Sequence, residues 1–193
     1  MANKVRFGLK NVYYAVATIA ADGSATYSTP VHVAGAVSLT LDPNGDITRF
    51  RADNINYWTS SANNGYTGSL EMAVLTDEFR KDCLGEIVDT KGVLIEKVGN
   101  GNVPHFALMY EFDGDVEPTR HVLYNVTASR PSGGGQTTGE TVEPETETFD
   151  FEAGSIFVDD IDLDIVKARV RKSDDSVTYE GWNSAVYVPS TLP

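Results

Sequence analysis

Three histidines and one cysteine are the side chains of this chain best suited to bind a metal ion or to act as a nucleophile. His32, His105 and His121 do not occur at a His-Glu-x-x-His spacing, and the single Cys83 cannot form a Cys-x-x-Cys pair. His105 and His121 fall on consecutive predicted strands and can be neighbours, but a zinc site needs a third and usually a fourth ligand. We therefore predict no metal and no other cofactor. Cys83 is interpreted as a small buried residue of a helix.

Four aspartates at 159, 160, 162 and 164 resemble the spaced carboxylate ligands of a calcium site. An EF-hand loop also needs a glycine at its sharp turn and a bidentate glutamate at its end. Ile161, Leu163 and Ile165 alternate with the acids, so a strand with its acids pointing away from the core explains the spacing better. The glycine-rich segment 133–139 lacks the lysine of a phosphate loop, and no Gly-x-Ser-x-Gly elbow is present. The sequence therefore predicts that the protein is not an enzyme.

The elements that would position any site follow from the apolar periodicity, which is mostly two and predicts strands. These strands span 12–20, 26–33, 37–41, 66–75, 105–112, 120–128, 147–153 and 160–172, and a further hairpin spans 86–98. A turn at 21–24 joins the first two strands, and Pro30 restricts the second to an edge or a bulge. One short helix is predicted between a Thr76-Asp77 cap and Gly85, with Phe79, Cys83 and Leu84 on its apolar side.

Two features of these strands concern packing. The strands at 105–112 and 120–128 are apolar on both faces, which is typical of strands in the middle of a sandwich or covered by a helix or a neighbouring subunit. Within 160–172 the apolar phase changes: Ile161, Leu163 and Ile165 share one face and Val166, Ala168 and Val170 share the other. Because a shift of one residue moves every side chain to the other face, we expect a bulge near Val166 or a change of partner sheet.

A long polar segment between two strands is the most informative part of the chain. Residues 42–66 carry Phe50 and other aromatic side chains among Asn, Asp, Ser and Gly. Loops longer than about 15 residues are usually functional or disordered, and this aromatic content favours a contact surface. We interpret the segment as an arm, residues 42–66, that binds another protein. Its predicted contact residues are Asp53, Asn54, Ile55, Tyr57, Trp58, Asn63, Asn64 and Tyr66.

Length and charge restrict the class of protein. The 193 residues fit one domain, 1–193, and residues 131–145 are interpreted as a flexible hairpin tip. The net charge is −13, and ten acids with no Lys or Arg lie between Arg130 and Lys167. Such a surface repels nucleic-acid phosphates, which excludes tight DNA binding but suits a protein past which DNA slides. The candidate acidic lumen or surface residues are Glu147, Asp150, Glu152, Asp162 and Asp164.

Localisation signals are weak. The first residues lack the apolar core of a secretion signal, and no run approaches the roughly 18 apolar residues of a membrane span. A single cysteine allows no internal disulfide, which is typical of proteins of a reducing compartment. We expect synthesis in the cytoplasm and no membrane partner.

Short motifs along the whole chain resemble those of the major tail tube proteins of long-tailed, non-contractile bacterial viruses. The matching segments are Phe7-Gly-Leu-Lys-Asn-Val12, Gly35-Ala-Val-Ser-Leu39 with Asp42-Pro43, Ala52-Asp-Asn-Ile55, Asn63-Asn-Gly-Tyr66, Phe79-Arg-Lys-Asp82 with Leu84-Gly-Glu86, His105-Phe-Ala-Leu108, Arg120-His-Val-Leu-Tyr124, Ala128-Ser-Arg-Pro131 and Trp182-Asn-Ser-Ala-Val-Tyr187.

The resemblance implies a mainly-β fold, a sandwich or barrel with one short flanking helix and a long extended arm. It also implies a structural virion protein, made in a bacterial host, whose copies form hexameric rings that stack into a tail tube. The implied partners are further copies of the chain, a tape-measure protein, tail terminator and distal tail proteins, and double-stranded DNA in transit without specific binding. Some relatives carry an extra immunoglobulin-like domain, for which this chain offers no matching segment.

The alternative reading is a carbohydrate-binding β-sandwich, in which exposed Tyr57, Trp58 and Tyr66 stack on sugar rings. The absence of a secretion signal disfavours it. Loss of glycan-array binding in Trp58→Ala would support it.

Overall fold

The chain folds mainly into antiparallel β-strands within residues 3–98, 103–137 and 144–192, which the computed structural model describes. The strands are β1 (Arg6–Ile19), β2 (Ala25–Tyr27), β3 (Val31–Val33), β4 (Ala36–Pro43), β5 (Ile47–Ala52), β6 (Ile55–Ser61), β7 (Tyr66–Met72), β8 (Ile87–Val88), β9 (Leu94–Ile95), β10 (His105–Gly114), β11 (Thr119–Ala128), β12 (Glu147–Gly154), β13 (Ile156–Val158), β14 (Leu163–Ile165) and β15 (Lys167–Arg171). The helices are α1 (Asp77–Leu84) and α2 (Ser176–Gly181), with a 3-10 turn at Asp159–Ile161. This confirms the mainly-β prediction.

One large antiparallel sheet organises the molecule. Its strand order is β2-β1-β10-β11-β12-β7-β4, with β3 also paired to β1 and β15 also paired to β11. β11 meets β15 along its first half, from Thr119 to Leu123, and β12 along its second half, from Asn125 to Ala128. β1 and β4 stand near opposite ends of this order yet lie against each other, so the sheet curls into a partly closed barrel.

Two apolar cores occupy the two faces of the sheet. The first lies inside the curl and is covered by α1, whose Phe79 packs against Tyr14, Phe106 and Phe149. The second lies on the outer face of β1, β10, β11 and β15 and is covered by β13 and α2. β10 and β11 therefore lie between the two cores, which confirms that these two-sided apolar strands are central.

Helix α1 begins and ends where the sequence predicts. The Thr76 hydroxyl accepts a hydrogen bond from the Phe79 amide at 3.2 Å, and Gly85 adopts the left-handed conformation with φ 74°. Phe79 and Cys83 are its buried residues. Eight residues are too few to be stable alone, so docking on the first core provides most of the helix's stability.

A second helix, α2, was not predicted. Asp175 caps its first amides, and Tyr179 and Trp182 pack it on the second core. The Arg120 guanidinium lies 4.1 Å from the Tyr179 ring centroid and also donates to the Tyr179 carbonyl. Glu111, which is buried on β10, accepts from Arg120 Nε at 2.8 Å and thereby orients it. A six-residue helix shows too little periodicity to be distinguished from a strand.

The first predicted hairpin is confirmed with one refinement. β1 pairs with β2 and then with β3, and Pro30 lies in the gap between these two edge segments. Proline has no amide hydrogen to donate to the ladder, which explains the interruption. The predicted small hairpin at 86–98 is confirmed as β8 and β9.

The phase change near Val166 is confirmed as a change of partner. β14 pairs with β13, whereas β15 pairs with β11 of the large sheet. The predicted single strand 160–172 is wrong at its start, because Asp159–Ile161 form a 3-10 turn and Asp162 adopts φ 51°. The aspartates at 159, 160 and 162 therefore belong to a tip rather than to a strand.

Residues 131–145 were predicted to be a flexible hairpin tip, and 138–143 of that segment lie outside the described residues. Its two flanks are paired: the Ser132 and Thr148 backbones exchange hydrogen bonds of 2.7 and 3.1 Å. The chain thus leaves β11 and returns to β12 as a hairpin does.

Candidate functional site

A polar face covers the side of the sheet opposite the first core. On β4, β7 and β12, every second side chain points into the core, where Leu70 and Phe149 are buried. The intervening side chains point to solvent, and residues that pair across strands share that face. They form three rows: Ser38-Glu71-Thr148, Thr40-Ser69-Asp150 and Asp42-Thr67-Glu152-Thr127. We call this surface the polar face.

The polar face carries only hydroxyl and carboxyl side chains in these rows. Four of its ten members are acids, and none is Lys or Arg. Seven of the ten line an open concavity of about 610 Å³. A duplex approaching this surface would meet hydroxyls and negative charge, with no cation to hold its phosphates.

Local hydrogen bonds hold one carboxylate of the polar face, that of Glu71, in place. Ser38 and Thr146 each donate to Glu71 at 2.8 Å, and the hydroxyls of Thr40 and Ser69 lie 2.8 Å apart. The bonds from Ser38 and Thr146 lower the pKa of Glu71 below its ordinary value. The acid therefore stays ionised at neutral pH.

The arm is an ordered hairpin, which corrects the sequence-based expectation of a long loop. β5 pairs with β6 from Ile47–Ser61 to Ala52–Ile55, and the tip residues Asp53 and Asn54 have φ 51° and 63°. Two consecutive positive φ values are typical of a type I′ turn, which connects the two strands of a hairpin through a two-residue loop. The segment was misread because its polar residues obscure the strand alternation.

The two faces of the arm differ. Phe50 and Trp58 pair on one face, which continues through Ala52 and Ile55, while Arg49 and Arg51 lie on the other. A register shift between Phe50 and Arg51 leaves Tyr57 as the extra residue of β6. Tyr57 is 69% exposed and Trp58 54% exposed. Exposed aromatic pairs on a projecting hairpin are typical of a surface that another protein covers.

The base of the arm is tied to the sheet. The Asn44 amide donates to the Gly65 carbonyl at 2.9 Å, and the Asn64 amide donates to the Asn44 carbonyl at 2.7 Å. Asn63 accepts from the Gly65 amide at 3.2 Å. Tyr66, at the start of β7, lies under Lys167, whose Nζ is 5.1 Å from the ring centroid.

We expect Gly65→Ala to lower the free energy of unfolding by about 2–3 kcal/mol, because φ is 98° there and an added Cβ would lie 2.0 Å from the Ala153 carbonyl oxygen. Urea denaturation followed by fluorescence measures the change. Gly134→Ala is the matched control, since a Cβ at that exposed position meets nothing within 4 Å. Equal loss of stability in the two variants would contradict the proposed crowding.

The eight predicted contact residues do not form one cluster. Asp53, Asn54, Ile55, Tyr57 and Trp58 lie in the outer half of the arm, whereas Asn63, Asn64 and Tyr66 lie at its base. Trp58 and Asn63, the nearest members of the two groups, are five residues apart, or about 16 Å along an extended chain.

The five predicted acidic residues occupy three places. Asp150 and Glu152 lie on the polar face. Glu147 lies on the opposite side of β12, where its carboxylate binds Arg80 and accepts from the Leu75 amide at 2.6 Å, so grouping it with the others was wrong. Asp162 and Asp164 lie on the separate β13–β14 hairpin.

Sequence reasoning missed most of the polar face. Asp42 and Glu71 were not singled out, although Ser38, Thr40 and Asp42 alternate with apolar residues on a strand that was predicted. The signal was present, but only the pairing of β4, β7 and β12 shows that these short stretches form one surface.

The histidines and the cysteine play structural roles. His105 and His121 are not neighbours, contrary to one expectation: His105 Nδ1 lies 2.7 Å from Asn125 Oδ1, whereas His121 stacks on Tyr110. Cys83 is fully buried, and burial raises the pKa of its thiol. Within the described residues, no group of three potential metal ligands occurs. None of the described helices is long and apolar enough to cross a membrane.

Comparison with protein-family models and with curated proteins finds no match. Among solved structures, the chain is similar to the tube terminating cap of the anti-feeding prophage, with 10% identity over 89% of this chain and 95% of that chain and a TM-score of 0.51. Two further similar chains come from the extended sheath-tube complex of an extracellular contractile injection system (11% identity, 86% and 94% covered, TM-score 0.49) and from the anti-feeding prophage baseplate (10%, 88% and 97%, 0.46). At such low identity the first likeness shows a shared fold.

Proposed function

We propose that the protein is a structural subunit of a tail tube, built as one tail-tube domain, whose copies form rings that stack around a lumen. The polar face carries this proposal. Hydroxyl and carboxylate side chains without cations stay hydrated and repel a polyanion. A lumen through which DNA passes without binding requires such a surface. The fold shared with a tube terminating cap supports a place in such an assembly.

Ring closure would use the β4 edge of the sheet, with which no other strand of the described residues pairs. β4 is the last strand in the order, and its outer edge presents backbone groups that β7 does not occupy. Exposed strand edges readily pair with another chain, and a head-to-tail interface closes a ring or continues as a filament. The sheet of one copy would then continue into the next, with the polar faces side by side around the lumen.

The arm is the proposed contact between copies or between rings. Its paired aromatic side chains, Phe50 and Trp58, are exposed in the single chain. Contact with another copy would bury their apolar surface and so stabilise the assembly. Because both faces of β10 and β11 are already covered within the chain, neighbours are needed at the edge and at the arm rather than over the central strands. This replaces the sequence-based argument that two-sided apolar strands require a covering subunit.

The finer assignments rest on the sequence resemblance. They are a non-contractile, long-tailed virus, hexameric rings, and a virion location. The proposed partners are a tape-measure protein, terminator and distal tail proteins, and DNA in transit. Of these assignments, DNA in transit is supported by the acidity of the polar face, which repels phosphates.

Electron microscopy of the purified, concentrated protein tests the proposal, with tail fragments added as seeds. We expect annular particles and stacked tubes. Single rings that never stack would favour a second candidate, a terminating cap, to which the fold likeness points. Protein that stays monomeric under all these conditions would contradict both.

We expect Asp150→Lys with Glu152→Lys to form tubes that retain short duplex DNA, whereas wild-type tubes release it. The two changes place cations in the centre of the polar face, where phosphates would be attracted. Filter retention of labelled duplex at low salt measures the effect, with an increase of about tenfold expected.

The matched control is Glu78→Lys with Glu180→Lys, which changes the charge equally on α1 and α2, away from the polar face. DNA retention equal to that of the control would contradict the placement of the polar face in the lumen.

A further inference from the structure

Three cations converge beside the base of the arm. Lys167 and Arg169 alternate on β15 and share a side with His121, while Arg6 of β1 lies 4.7 Å from the Phe112 ring centroid. Lys167 is half-buried, and burial together with Arg6 and Arg169 lowers its pKa. Bringing like charges together costs free energy unless an anion is bound.

No carboxylate of the described residues forms an ion pair with any of these three cations. The next cation of the same strand, Arg171, is paired with Asp174 at 2.9 Å. In a chain with 28 acidic residues and 15 basic ones, one half-buried and two exposed cations without a paired acid among the described residues are unexpected. The cluster therefore has the charge of a receptor for an anionic group.

A groove runs along this cluster. It has a volume of about 390 Å³ and lies between Asn63 and Tyr66 on the arm side and Ile165–Arg169 on the other. β15 pairs with β11 along one edge, and its other edge borders the groove. The groove thus offers backbone groups as well as charge to an extended segment, as in strand addition.

An acidic tip lies at the far end of the β13–β14 hairpin, whose last residue, Ile165, lines the groove. The β13–β14 hairpin turns through Asp159–Ile161, and its carboxylates at 159, 160, 162 and 164 are exposed. Within the described part of the chain, these four side chains have no hydrogen-bond or ion-pair partner among the contacts of the structure. The tip therefore does not reach the cation cluster of its own chain.

We propose that the acidic tip at 159–164 of one copy docks in the groove formed by the arm base and β15 of a second copy, against Arg6, Lys167 and Arg169. This inference rests on the proposed function and specifies one contact of the assembly. The two surfaces differ, so the contact is head-to-tail and each copy can donate one tip and accept another. Pairing these cations with these acids removes the like-charge repulsion within each group.

Charge reversal with rescue tests the contact. One double variant reverses the groove (Lys167→Glu with Arg169→Glu), and the other reverses the tip (Asp160→Lys with Asp162→Lys). We expect each to raise the protein concentration needed for assembly by at least about tenfold. The variant with all four changes should assemble as the wild type does, because each reversed tip meets a reversed groove. An equal mixture of the two double variants should also assemble, since alternating copies then match. Light scattering and negative-stain microscopy measure assembly, and circular dichroism checks folding.

Lys91→Glu with Lys97→Glu is the matched control, because it applies the same reversal on the exposed β8–β9 hairpin.

If wild type and both double variants assemble at equal concentrations, the docking is overturned while the tube function stands. If each reversal prevents assembly but neither the four-fold variant nor the mixture restores it, the pairing of tip with groove is overturned. If the wild type retains duplex DNA at low salt, and Lys167→Glu with Arg169→Glu abolishes that retention without a change in assembly, the groove is a nucleic-acid contact and the proposal is overturned. A wild type that never assembles contradicts the tube function and this contact with it.

Discussion

A subunit that lacks residues 46–64 should fold like the wild type and fail to assemble. Pro43 and Tyr66 pair at the base of the arm, so the deletion joins β4 to β7 through Asn44, Gly45 and Gly65 alone. Three-residue loops containing glycine close hairpins well. The strands β5 and β6 contribute almost no buried side chain, so the cores remain intact.

Circular dichroism and urea denaturation should show a midpoint close to that of the wild type, while sedimentation velocity shows monomers only. Phe50→Ser with Trp58→Ser, which removes the aromatic face, should also prevent assembly. Thr59→Ala with Ser61→Ala is the control on the opposite face. Tubes of normal length from the deleted protein would refute a role of the arm in assembly.

Acidification should destabilise the subunit through His121. Its ring is buried against Tyr110 and Phe112, and neither ring nitrogen has a hydrogen-bond partner within the described part of the chain. The cations Lys167, Arg6 and Arg169 lie nearby. Burial, with a smaller contribution from these cations, lowers the pKa of His121 to about 3 from its ordinary value of 6.5. Below pH 6.5 the unfolded chain therefore binds a proton that the folded chain does not bind.

The sign follows from this difference in proton binding. Above pH 6.5 the group has no effect on stability, and as the pH falls toward 3 it lowers the free energy of unfolding by about 1.4 kcal/mol per pH unit, or about 2 kcal/mol at pH 5. His121→Phe keeps the stacked ring and removes the titration. The variant should lose less stability than the wild type between pH 7.5 and pH 5.

Chemical denaturation of both proteins at pH 7.5, 6 and 5 measures the difference. His32→Phe is the control, since His32 is exposed on the edge strand β3. Equal pH slopes for wild type and His121→Phe would show that His121 does not couple folding to pH.

Local signals in the sequence predicted most strands and helix α1. Thr76, Phe79 and Gly85 identify the helix because capping and termination depend on neighbouring residues. The alternation of Phe149 and Phe151 with Asp150 and Glu152 identifies β12 for the same reason. The change of partner near Val166 was also predictable from the sequence, because the apolar side chains move from one face of the strand to the other at that point. Helix α2 and the arm hairpin were missed, since six residues carry little periodicity and polar strand residues hide alternation.

The sequence by itself determined that the chain is acidic, mainly β and rich in aromatic residues between 42 and 66. These properties depend on composition and on neighbours along the chain. Tertiary structure alone decided which residues form a common surface: it joined Thr40, Ser69 and Asp150 into one row and moved Glu147 to the other side. It likewise brought Arg6 to Lys167 across 161 positions of sequence. The reason is physical, since strand register and sheet curl are set by packing between distant segments, which no local pattern specifies.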